Sequence, residues 1–154
     1  MSVAIGRKVP DFSAASTGGE VRLSKLKGRK LVLFFYPKDN TPGCTNEAGD
    51  FRDLHAAFAE AGALVLGVSR DSLKSHEGFK GKLGLPYELV SDPDEALCEQ
   101  FGVMKLKTMY GRQVRGIERS TFVIDTAGKL AHEWRGVKVP GHVAEVLEVV
   151  RSIS

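Results

Sequence analysis

Thr41, Pro42, Gly43 and Cys44 stand together in the stretch PKDNTPGCTNEAGDF, residues 37–51. A thiol attacks poorly and a thiolate attacks well, so a cysteine that does chemistry needs surroundings that favour its anion. The first turn of a helix provides them, because its backbone N–H groups lack intrahelical partners and lie at the positive end of the helix dipole. Pro42 suits the start of a helix, where a missing N–H is harmless. Gly43 leaves the backbone open to a small ligand, and Thr41 can turn its hydroxyl toward the sulfur. A free cysteine is more often a buried hydrophobe. Here Asp39, Asn40, Thr45 and Asn46 surround Cys44 with polar groups, and the stretch reads as a reactive thiolate site.

Residues 31–36 (LVLFFY) form a continuous apolar, β-rich run, as expected of a strand buried on both faces, and the cysteine loop follows its carboxyl end. Phe51, Leu54, Phe58 and Ala61 then recur at helical spacing, which predicts one amphipathic helix from Pro42 to Gly62. Upstream, residues 12–23 predict two short strands around Thr17-Gly18-Gly19, and Ser24 is expected to cap one helical turn. Downstream come a strand over 63–69, a helix over 73–83 capped by Asp71 or Ser72, and a strand over 87–91. A helix over 95–101 follows, then a hairpin of 119–125 and 129–135, and a closing helix over 141–152. The basic stretch 105–119 carries no clear period. This order predicts one α/β domain over residues 1–154, with a mixed central sheet flanked by helices and an N-terminal β-hairpin.

PKDNTPGC matches the peroxiredoxin pattern P-x-x-x-T-x-x-C at Pro37, Thr41 and Cys44, and FFYPKDNTPGCTNEAGDF resembles the bacterioferritin comigratory protein (PrxQ) subfamily. The resemblance continues through VLGVSRDS, LVSDPDEALCEQFGV and MYGRQVRGIERSTFVID. It implies a thioredoxin-like fold and a thiol peroxidase in which Cys44 attacks hydrogen peroxide or an organic hydroperoxide and becomes a sulfenic acid. By the same resemblance Pro37 shields the pocket, Thr41 hydrogen-bonds thiolate and peroxide, and Arg119 is the partner guanidinium. Physical chemistry agrees: an arginine stays charged, and it stabilises negative charge on sulfur and on the peroxide oxygens. The N–H groups of Gly43 and Cys44 would act to the same end. Glu47, one turn after Cys44, could orient Arg119 or simply complement the helix dipole. Thioredoxins carry C-x-x-C at this location; here the first position is Thr41, which excludes an intrahelical dithiol.

The subfamily often places a second, resolving cysteine five residues after the first or in the next helix. Gly49 occupies the former position, and residues 75–84 contain no cysteine. Cys98 remains, on an apolar helix face beside Leu97 and Phe101, and reads as core. The expectation is therefore a one-cysteine cycle reduced by an external thiol: thioredoxin, glutaredoxin or glutathione. The alternatives are a peroxide sensor that passes oxidation to a partner, or a two-cysteine enzyme resolved by Cys98.

The net charge of +3 is too small to hold a nucleic acid. The four histidines fit no zinc spacing, no dinucleotide or phosphate-binding glycine motif follows a strand, and no metal or cofactor is implied. The longest apolar run is far too short to cross a bilayer, and MSVAIGRKVPDF lacks an apolar leader. Two cysteines in such a chain fit a reducing, cytoplasmic setting. The resembled subfamily is mostly monomeric, which sets the expectation here. Lys105, Lys107, Arg112 and Arg115 form a basic stretch able to attract an anionic reductant.

Overall fold

A computed structural model describes residues 3–153. The chain forms β1 (Ser13–Ser16), β2 (Gly19–Arg22), β3 (Lys30–Phe35), α1 (Pro42–Asp53), α2 (His55–Glu60), β4 (Ala63–Ser69) and α3 (Leu73–Leu83). It continues with β5 (Glu88–Ser91), α4 (Ala96–Gln100), β6 (Met104–Met109), β7 (Arg112–Ile117), β8 (Ser120–Ile124), β9 (Leu130–Arg135) and α5 (His142–Ser152).

Seven strands make one mixed sheet in the order β2-β1-β5-β4-β3-β8-β9. Strands β3, β4 and β5 run parallel, and β8 and β9 add antiparallel at one edge. Alternate residues of β3 feed two separate cores, as its continuous apolar pattern requires. Val32 and Phe34, with Tyr36 just beyond the strand, pack on one face with Phe51, Phe58 and Val146. Leu31, Leu33 and Phe35 pack on the other with Phe101, Ile117 and Phe122.

Three local expectations change. The helix expected from Pro42 to Gly62 is two helices, because the Leu54 backbone (φ −101°, ψ 8°) leaves helical geometry between them. Ser24 lies inside a 3₁₀ turn, Leu23–Leu26, rather than capping it; its N–H is held at 2.8 Å by the Asp11 carboxylate. The basic stretch 105–119 contains a two-stranded hairpin, β6–β7, that pairs only with itself. Its turn is Tyr110-Gly111, both at positive φ (53° and 74°), the geometry that tight hairpins favour. Both faces of the hairpin carry charged or polar residues, so the brief apolar–polar alternation of Met104-Lys105-Leu106-Lys107 marks no continuous apolar face.

No helix is long and apolar enough to cross a membrane among the described residues.

Candidate active site

Strand β3 runs into its loop at Pro37, and α1 begins at Pro42 with Thr41 as the preceding residue. Cys44 therefore sits in the first turn, where backbone N–H groups have no partner one turn back. Its side chain is only 1% exposed and reaches the core on the α1 face of the sheet.

Arg119 arrives there through strand register. The antiparallel pairing of β3 with β8 sets Ser120 opposite Phe35, so the residue just before β8 lies beside the loop just after β3. The Arg119 Nη2 then approaches Cys44 Sγ at 3.3 Å, and Nη1 donates to Glu47 Oε1 at 2.7 Å. Glu47 is one turn after Cys44 on α1, so its carboxyl and the sulfur face the same guanidinium. Gly43 gives Arg119 room: a Cβ there would stand 3.1 Å from Nη2.

Glu47 stands past the first turn of α1 and is 0% exposed, so it is not a surface acid complementing the helix dipole. Burial pushes its carboxyl up to about 7; the charge and hydrogen bond of Arg119 pull against this, and Asp50 adds to it. Burial also works against the Arg119 charge, but Glu47 and then Cys44 more than offset it and hold the guanidinium above its ordinary range.

A carboxyl raised from 4.5 in the unfolded chain to about 7 in the fold keeps its proton longer when folded, so this group stabilises the fold at low pH. That contribution is lost as pH rises from 4.5 to about 7, up to ~3 kcal/mol at ~1.4 kcal/mol per unit. Denaturant titrations across this range should show wild-type stability falling relative to a Glu47→Gln variant. Parallel profiles would contradict the assignment.

Thr41 departs from its expected contact. Its hydroxyl donates to the Lys38 carbonyl at 2.8 Å, which commits the hydrogen there and leaves the oxygen's lone pairs to accept. A thiolate only accepts, so in this geometry the Thr41 hydroxyl has no hydrogen left to give the sulfur. Pro37 is half-buried at the start of the loop.

Sequence reading missed what anchors that loop. Asp39 is 4% exposed, and its carboxylate accepts from the Tyr36 hydroxyl (2.7 Å) and from Ser75 Oγ (2.8 Å). His76 Nδ1 lies 2.8 Å from the same carboxylate, and His76 Nε2 meets the Val90 carbonyl at 2.9 Å. The Asp39 N–H donates to Asp71. Asp39, Asp71 and His76 have ligand-type atoms within 4.8 Å of one another, and these hydrogen bonds already engage all three side chains. The loop carrying Pro37 and Thr41 is thus tied to α3 and β5 by buried polar groups. Asp39 in the polar loop after β3, with Ser75-His76 inside α3, is the signal the sequence offers.

Cys98 belongs to the opposite face of the sheet. It lies in α4, 0% exposed, in the core with Leu33 and Phe35. Burial first, then the hydrogen bond and charge of Asp92, push its thiol well up. The sheet therefore stands between the two sulfurs.

Residues 5–133 match the model of the AhpC/TSA family. The chain is 52% identical over 155 residues to the peroxiredoxin Bcp of Bacillus subtilis, covering 100% of this chain and 99% of that one. It superimposes on a cysteine-to-serine mutant of Xylella fastidiosa PrxQ with a TM-score of 0.92, at 44% identity, over 99% and 98% of the two chains. It also resembles the bacterioferritin comigratory protein of Xanthomonas campestris, whose structures concern its alkyl peroxide reduction activity. The TM-score there is 0.87 at 50% identity, over 92% of this chain and 90% of that one.

Proposed function

Because the chain belongs to the AhpC/TSA family and is a thiol-dependent peroxidase of the Bcp/PrxQ kind, we propose that it runs a one-cysteine cycle on Cys44, with a hydroperoxide as oxidant and an external thiol as reductant. The observation that carries this reading is the Cys44–Arg119–Glu47 array, one guanidinium bonded to both the sulfur and a buried carboxyl.

The Cys44 thiolate attacks the terminal peroxide oxygen. An S–O bond forms, the O–O bond breaks, sulfur is oxidised to sulfenic acid, and the other oxygen leaves as hydroxide or alkoxide, which takes a proton. Arg119 and the N–H groups of Gly43 and Cys44 stabilise charge as it moves from sulfur onto oxygen. Thr41 accepts the peroxide hydrogen bond and aligns the O–O bond with the sulfur, while Pro37 covers the pocket. Hydrogen peroxide and organic hydroperoxides both fit this chemistry, since only the O–O–H end is recognised.

The sulfenic acid then needs a thiol. Cys98, across the sheet and held as a thiol, is not positioned to supply it without unfolding. Thioredoxin, glutaredoxin or glutathione would each serve, and the chain acts as a monomer in this scheme. Multiple turnovers with dithiothreitol should proceed at the same rate in a Cys98→Ser variant as in wild type. A single oxidation event without turnover would instead identify a peroxide sensor, and loss of turnover in the variant would identify a resolving cysteine.

The β6–β7 hairpin bears on the reductant. Arg115 is paired with Glu95 and Glu99 of the α4 region, so it is not a free cation. Lys105 and Arg112 are exposed, and β7 ends two residues before Arg119. A reductant protein with an acidic surface would be steered toward the Cys44 side by these charges. A Lys105→Ala, Arg112→Ala variant should lose roughly tenfold in protein-reductant rate at low ionic strength, with its dithiothreitol rate unchanged. An equal rate and equal salt dependence would remove the hairpin from the reaction.

A further inference from the structure

Orientation of Arg119 does not by itself account for how Glu47 is buried. Its Oε1 takes the Arg119 hydrogen bond, but Oε2 is buried without a partner among the described residues. An ionised carboxylate offers about four acceptor sites, and a buried one left mostly unfilled is a costly anion. The groups that face Glu47 make this sharper. Cys44 and Asp50 lie three residues before and after it on α1, and Arg119 comes from the start of β8. Tyr87, before β5, gives its hydroxyl hydrogen to the Ala48 carbonyl at 2.8 Å instead. One cation, Arg119, is therefore shared between a sulfur and a carboxyl with Asp50 nearby.

The demand on that cation changes during the reaction. With Cys44 as a thiolate, an ionised Glu47 would compete with it for the one guanidinium; once the sulfur is a neutral sulfenic acid, that competition is gone. We infer that Glu47 is a proton-balancing residue, which holds a proton while Cys44 is a thiolate and releases it in the step that makes the sulfenic acid. It acts through Arg119 rather than by touching the peroxide. The position of its titration, pushed by burial up to about 7, places the exchange near neutrality.

The step balances. The sulfur gives an electron pair to the terminal oxygen, whose hydrogen stays on the sulfenic acid, and the alkoxide departs with the O–O pair. That alkoxide requires one proton, and the ionising Glu47 releases one. Thiolate, carboxylic acid and hydroperoxide become sulfenic acid, carboxylate and alcohol (water, from hydrogen peroxide) with no net proton drawn from solvent.

This inference rests on Cys44 being the attacking thiolate, and the experiment separates the two claims. Reduced protein is mixed with one equivalent of hydrogen peroxide in weakly buffered solution containing a pH indicator. Thiolate ultraviolet absorbance is recorded before mixing, and intact mass after it. With Glu47 titrating at about 7, wild-type protein should take up almost no proton per oxidised Cys44 at about pH 6, and close to one at about pH 8. A Glu47→Gln variant should take up close to one at both. Uptake near one at both values in the wild type overturns the inference, as does absence of the thiolate signal at the lower pH. The wild-type pair of readings decides the matter even if the variant does not fold. Failure to gain oxygen at Cys44 would instead refute the one-cysteine reading itself.

Discussion

A Cys44→Ser variant will fold, and its rate of peroxide reduction will fall by on the order of 10^4-fold or more, to the background of the solution reaction. Serine fills nearly the same volume in the first turn of α1, and Arg119 keeps its hydrogen bond to Glu47. The chemistry fails because a serine hydroxyl does not ionise near neutrality and its oxygen is a poor nucleophile toward a peroxide. Cys98 will not rescue it. That thiol lies in the other core, 0% exposed, with burial and Asp92 both opposing its anion. Stopped-flow mixing with hydrogen peroxide measures the loss, and near-UV circular dichroism checks the fold. A residual rate within tenfold of wild type would move the reacting sulfur elsewhere.

Removing the guanidinium has a different signature. An Arg119→Ala variant should retain a sulfur nucleophile but lose about 10^2–10^3 in rate, the usual cost of deleting one group that stabilises developing oxyanion charge. Its stability should also become more sensitive to pH. A buried charge left unpaired costs about 3–5 kcal/mol, and Glu47 escapes most of that only while it holds a proton. The loss should therefore grow as pH rises through about 7, where that carboxyl ionises in the intact array. Arg119→Lys should recover only part of the rate, because one ammonium lacks the fork that meets Cys44 Sγ at 3.3 Å and Glu47 Oε1 at 2.7 Å together. Full activity in Arg119→Lys would reduce the role of the arginine to simple charge.

Much of this site can be read from residue types alone, and the reasons differ by residue. Cys44 announces itself through Pro42 and Gly43 at a helix start, a local arrangement needing no knowledge of distant contacts. Arg119 lies 75 residues from Cys44, and only the resemblance of GIERSTFVID to a known family pointed to it. The physical cause of their meeting, the β3–β8 register, is a long-range pairing that no window of sequence contains. The same limit hid the Asp39–His76 contact, 37 residues apart. Thr41 stands just before α1, as the TPGC stretch suggests, yet the direction of its hydroxyl depends on a loop in which Asn40 adopts φ 65°.

The main sheet was legible because β3 and β4 carry apolar runs that only a two-faced core satisfies. The β6–β7 hairpin was not, since its turn geometry, rather than hydrophobic burial, defines it; Leu106, Tyr110 and Val114 are all exposed. The break at Leu54 escaped notice because the apolar spacing continues across it, with Phe51 and Phe58 both fully buried on one face.

Intact mass of the reduced protein after a small excess of hydrogen peroxide, beside a Cys98→Ser variant, bears most directly on the one-cysteine cycle. The account predicts a gain of one oxygen, mapped to Cys44 and unchanged in the variant. A loss of two hydrogens in the wild type, abolished by Cys98→Ser, would mean that a disulfide forms across the sheet, and would contradict it.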